Sequence, residues 1–161
     1  MLVLGLGNTL MGDDGVGVAA VHELKRLGLE GVELKEGGVR GMGLLSVLRG
    51  RRRVVIIDAV RDGGGEPGTI YRLTEKELAE AEFSLLSLHQ LALEHVLALG
   101  RELLGGEFPE EIVIYGVEVE KVRPGEGLSE PVERALPRLV ELVLKEVEGD
   151  VPCDTGSGQG D

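Results

Sequence analysis

The chain has 161 residues, 42% of them hydrophobic and 29% charged, which suits one globular domain and argues against a two-domain enzyme. No apolar run approaches the roughly 18 residues of a membrane-spanning helix. Seventeen basic residues against 29 acidic ones leave a net charge of -12, the wrong sign for neutralising phosphates, so nucleic acid is set aside as a partner.

The first six residues are apolar, but no basic segment precedes them and Asp13 and Asp14 follow too soon for a cleavage region. A cytoplasmic location is expected. Cys153 is the only cysteine, which excludes a disulfide framework and a cysteine-based zinc cluster, so a protein-held metal would need carboxylate or imidazole.

Met1 to Leu6 reads as a short buried strand ended by Gly7-Asn8, and from Val16 the apolar spacing switches to that of a helix through Ala20, Leu24 and Leu27. A second strand is expected at 32–34, a short helix at 42–48, and at 54–57 four consecutive branched residues of a strand buried on both faces. Gly63-Gly64-Gly65 and Pro67-Gly68 break the chain before a strand at 69–73. Thr74 with Glu77, and Ser87 with Gln90, have the spacing of capping boxes. A helical stripe runs from Leu88 through Val96 to Leu99, a strand follows at 112–117, and a last helix carries Val132, Ala135, Leu136, Leu139, Val140 and Val143 up to Gly149. The alternation predicts an α/β fold: a three-layer sandwich with a central, twisted, mostly parallel sheet of about five strands and helices on both faces. One antiparallel strand is expected where only a loop joins neighbours. The domain is expected to span 1–149, with 150–161, which hold almost nothing to bury, as a flexible tail.

In such sheets the functional crevice lies beyond the carboxyl ends of the strands. Three segments place polar residues there. The run from Gly5 to Gly17, GLGNTLMGDDGVG, is read either as a Gly-rich turn with an aspartate capping the first helix or as part of a site. Dinucleotide binding fits it poorly, because a pyrophosphate wants a bare helix N-terminus and two aspartates would repel it. Asp58 ends the buried strand, as a turn residue or as a functional carboxylate. His89 falls in the first turn of a helix, where the dipole favours the neutral imidazole that can bind metal. His22 and His95 lie within helical patterns and read as structural. Two carboxylates and a neutral imidazole converging on one sheet edge would make a three-ligand site with open positions for a divalent ion.

The run Gly5 to Gly17, the strand end Ile56-Ile57-Asp58-Ala59, the segment Glu36 to Met42, His89-Gln90-Leu91 and the late Gly127-Leu128-Ser129 together resemble the hydrogenase maturation proteases. These are endopeptidases, often classed as aspartic-type, that trim the C-terminal extension from the large-subunit precursor of nickel-iron hydrogenases. The resemblance runs in order from residue 1 to about 148 and implies the same three-layer α/β domain. It implies a metal-binding trio of Asp14, Asp58 and His89, the second acid of the pair being the aligned one. It also suggests that the glycine-rich loop, through Gly38 and Arg40, grips the precursor, although Arg40 reads equally as a solvated loop charge. Glu36 stands where the family usually has aspartate, and Gly116 to Glu120 lacks a proline often found there, so the resemblance assigns no role to Glu36 or Glu118. Arg51-Arg52-Arg53 reads as a solvated basic cluster, with docking to an acidic surface as the alternative.

The resemblance implies a protein without a permanent metal, whose trio reaches nickel already inserted in the precursor, so that cleavage depends on metal loading. The nickel would polarise the scissile carbonyl or activate water, with Asp14 or Asp58 as the catalytic base. An aspartic dyad sharing a proton is the competing mechanism, and it would leave His89 idle. A non-catalytic nickel-sensing chaperone of the large subunit is the alternative from another class, and a small nucleotide-binding domain is a third. A monomer is expected, since no spare apolar stripe is visible.

Overall fold

The structure, a computed structural model, describes residues 1–36, 42–80, 84–85, 93–120 and 122–149. The strands are β1 (Leu2–Gly5), β2 (Glu33–Glu36), β3 (Arg53–Arg61), β4 (Ile70–Thr74), β5 (Ser84–Leu85) and β6 (Glu111–Glu118). The helices are α1 (Val16–Lys25), α2 (Met42–Leu48), α3 (Glu75–Glu80), α4 (Leu93–Leu104) and α5 (Glu130–Glu148). The sheet order is β2-β1-β3-β6-β4, with the two-residue β5 paired to β3. β2, β1, β3 and β6 run parallel, while β4 on β6 and β5 on β3 are antiparallel. The five strands expected from the sequence are all present, and β5 is the addition.

Alternation along the central strands divides the core into two layers, one on each face. Leu2, Leu4, Val54, Ile56, Ile112 and Ile114 meet Leu44, Leu45 and Leu48 of α2 and Leu97 of α4. Val3, Val55, Ile57, Val113, Tyr115 and Val117 meet Val16, Ala20, Val21 and Leu24 of α1 and Val132, Leu139 and Val143 of α5. Both faces of the sheet are therefore covered, which is why β3 needs branched residues without alternation. The expected capping box at Thr74 forms: Thr74 N–H donates to Glu77 Oε1 at 2.9 Å, and Glu77 N–H donates to Thr74 Oγ1 at 3.2 Å. The box expected at Ser87 and Gln90 lies outside the described residues, as does the tail beyond Gly149. Among the described residues no helix is long and apolar enough to cross a membrane.

Two arginines of the triplet, Arg51 and Arg53, are held against the fold, whereas Arg52 stays largely exposed. Arg51 pairs with Glu33, Arg52 with Glu110, and Arg53 with both Glu111 and Glu146. These ties cross the amino-end edge of the sheet, and Arg53 joins it to α5. Glu146 also accepts from Arg72 Nε at 2.8 Å and from the Tyr115 hydroxyl at 2.7 Å. Burial raises the Glu146 pKa, but the bonds from Arg72 and Tyr115 and the charges of Arg72 and Arg53 outweigh it, leaving the carboxyl below its ordinary 4.5. The stability it adds is thus fully present above that value and is lost as pH falls through the depressed one. Glu146→Gln should cost about 2 kcal/mol at neutral pH, and the gap to wild type should narrow as pH falls below 4.5. Urea unfolding followed across that range measures both.

Candidate functional site

β1 lies between β2 and β3, so the chain leaves β1 to one side for β2 and returns on the other for β3. The carboxyl ends of β1 and β3 therefore flank a topological switch point, where open α/β sheets bind ligands. In the parallel register Gly5 pairs with Ile57, and the ladder continues as Leu6 N–H donates to Ile57 O at 2.9 Å. Asp58 is the next residue of β3, fully buried, and its Oδ1 accepts from Ala59 N–H at 2.8 Å.

The glycines of the first loop serve close packing. A Cβ on Gly17 would lie 2.4 Å from Ile57 O and 2.5 Å from Leu6 O, and one on Gly7, at φ +127°, would lie 1.9 Å from Asp14 O. The start of α1 thus rests on the β1–β3 junction, and the short 3-10 turn Gly12–Gly15 packs against β3. Asn8 shapes the rest: its Oδ1 accepts from Leu10 N–H at 2.9 Å, and its own N–H donates to Asp14 Oδ2 at 2.9 Å.

Asp14 is half-buried, and its other oxygen, Oδ1, is shielded from solvent with no hydrogen-bond partner among the described residues. Burial raises the Asp14 pKa above its ordinary value, against the Asn8 bond and the positive charge of Arg61. Nothing in the sequence motif marks Arg61. It ends β3 three residues past Asp58, and its influence follows from the strand's length beyond the predicted 54–57.

Asp13 does not cap the first helix. α1 starts after Gly15 with no side-chain cap, and Asp13 instead accepts from Glu120 N–H and from the main chain and hydroxyl of Ser129. Those partners are distant in sequence, which is why the local pattern suggested a cap. Glu118, buried at the end of β6, accepts from Gly63 N–H at 3.0 Å and from the Tyr71 hydroxyl at 2.8 Å, holding the loop that enters β4. Glu36 is engaged by Lys25 at 3.0 Å and lies 2.8 Å from His22 Nε2, so both His22 and Glu36 tie α1 to β2.

Asp14 lies in the 3-10 turn that packs against β3, and Asp58 lies within that strand. His89, Gly38 and Arg40 lie outside the described residues, as does the His95 side chain. Among the described residues no group of three His, Cys, Asp or Glu side chains could hold a metal ion.

The family profile HycI, hydrogenase maturation protease, matches residues 18–146. This chain belongs to the hydrogenase maturation protease family. The hydrogenase 2 maturation protease of Escherichia coli strain K12 is 36% identical over 146 residues, covering 89% of this chain and 88% of that protein. Among solved structures, the hydrogenase maturating endopeptidase HybD from E. coli superposes with a TM-score of 0.80 at 33% identity, covering 93% of each chain. The NiFe hydrogenase maturation protease HybD from Thermococcus kodakarensis gives 0.74 at 30% identity, covering 90% of this chain and 97% of that one. Like them, this hydrogenase maturation protease is a peptidase on a mostly parallel α/β sheet.

Proposed function

We propose that this protease removes the C-terminal extension of the nickel-iron hydrogenase large-subunit precursor after nickel insertion, and that Asp14, Asp58 and His89 read the inserted metal. The observation that carries this reading is Asp14 Oδ1, a shielded carboxylate oxygen with no hydrogen-bond partner among the described residues, in the turn that packs against β3, the strand carrying Asp58. A buried acceptor left without a partner costs stability, and such a cost is usual where a site awaits a ligand. A cation or an acidic proton supplied by the substrate would satisfy it.

The nickel is cargo of the substrate, not a resident of this chain, and as a Lewis acid it would polarise the scissile carbonyl or lower the pKa of a bound water. Asp14 or Asp58 accepts the proton from the attacking water. His89 completes the oxygen-nitrogen donor set that suits nickel, and Gly38 with Arg40 contacts the precursor. The protein works as a monomer in the cytoplasm.

Calorimetric titration with nickel tests the trio without the precursor. Wild type should bind at one saturable site, and His89→Ala and Asp58→Ala should each lose it. Binding that survives both changes would overturn the assignment.

A further inference from the structure

Gly127-Leu128-Ser129 is the part of the family resemblance that the catalytic trio leaves without a role. Gly127, at φ +97°, turns the chain, Leu128 packs on the layer beneath α5, and Ser129 stands at the start of that helix. An N-cap serine ordinarily turns its hydroxyl onto its own helix. This one makes no such bond. Its Oγ donates to Asp13 Oδ2 at 2.7 Å, and its N–H donates to Asp13 Oδ1 at 2.7 Å. Glu120 N–H adds a third bond to Oδ2 at 2.9 Å.

Asp13 is 1% exposed and already accepts three hydrogen bonds. A carboxylate so engaged is poorly placed to serve as base or ligand, which leaves that work to its neighbour. Its partners are Glu120, two residues after β6, and Ser129, the residue before α5, so Asp13 joins the turn that carries Asp14 to the segment between β6 and α5. A second tie runs beside it: Gly12 N–H donates to Gly125 O and Gly125 N–H to Leu10 O, both at 2.9 Å. Between these segments lies a cleft of about 430 Å³, with Gly12, Asp13, Arg123, Gly125 and Ser129 in its lining. Asp13, the chain neighbour of Asp14, forms part of its wall.

We propose that Asp13 is a positioning residue: bound by Ser129 and Glu120, it fixes the turn bearing Asp14 against the cleft wall, and so sets where Asp14 meets the substrate. This rests on the protease reading above. α5 buries Val132, Leu139 and Val143 in the layer it shares with α1, so the Ser129 hydroxyl is not what holds the helix on the sheet. Its bond to Asp13 acts on the turn, and a displacement of an ångström or less at a reacting group is enough to slow chemistry strongly.

The test uses Ser129→Ala and Ser129→Thr in the full-length protein, with processing of nickel-loaded precursor resolved into kcat and KM, and thermal unfolding measured alongside. Ser129→Ala should remain folded at the assay temperature and lose about tenfold in kcat with KM little changed. Ser129→Thr, which restores the hydroxyl, should recover the rate. A Ser129→Ala protein with wild-type kcat, whatever its melting temperature, would show that the bonds serve the fold alone and overturn the proposal. So would a loss that Ser129→Thr fails to repair. A wild-type protein that cuts no precursor would instead overturn the protease reading, and the positioning role with it.

Discussion

Asp14→Asn should abolish processing of the precursor, by about a thousandfold or more, while leaving the protein folded. The substitution keeps the shape of the side chain and an oxygen for the Asn8 N–H, 2.9 Å away. It removes the charge on which nickel recognition or proton transfer depends. The second oxygen has no donor among the described residues and the group is partly desolvated, so wild type pays for holding a carboxylate there. Stability should therefore hold, or rise by up to about 1 kcal/mol, the usual trade at functional sites. Processing followed on a gel, with urea unfolding of the same preparation, separates the two effects. An active Asp14→Asn protein would remove Asp14 from the site.

Gly17→Ala should damage the fold severely. The new carbon would sit 2.4 Å from Ile57 O and 2.5 Å from Leu6 O, and both acceptors belong to the junction of β1 and β3. Main chain there cannot yield without shifting Asp58, the residue after Ile57. A loss of about 3 kcal/mol or failure to fold is expected. Gly28→Ala is the control: nothing lies within 4 Å of its added carbon, and only its φ of +65° opposes the change, so about 1 kcal/mol should be lost. Equal costs at the two positions would mean that the close approach at Gly17 is not what the glycine serves.

Much of this architecture is legible in the sequence because its causes are local. Unbroken branched residues mark β3 as buried on both faces, Thr74 and Glu77 mark a helix start, and the stripe from Val132 to Val143 marks the face of α5 turned to the sheet. β5 escaped because two residues carry no period. The site was legible only in part: Asp58 and the acidic pair follow apolar runs, but β3 continues past Asp58 to Arg61, so Asp58 lies inside the strand and not at its end. Which acid of the pair does what was not legible from spacing. Asp13 is set apart by donors 107 and 116 residues away, and Asp14 by one shielded oxygen that has no partner among the described residues. Arg51 and Arg53 departed from the solvated reading for the same reason, since Glu33, Glu111 and Glu146 reach them only through the sheet and α5.

The proposed function makes cleavage conditional on the metal in the substrate. The most direct measurement is incubation of the purified protein with hydrogenase large-subunit precursor, nickel-loaded and nickel-free, followed by mass spectrometry of the large subunit. The account expects a single C-terminal truncation from the loaded precursor and none from the nickel-free one. Equal truncation of both would contradict nickel recognition and favour a metal-independent carboxylate dyad.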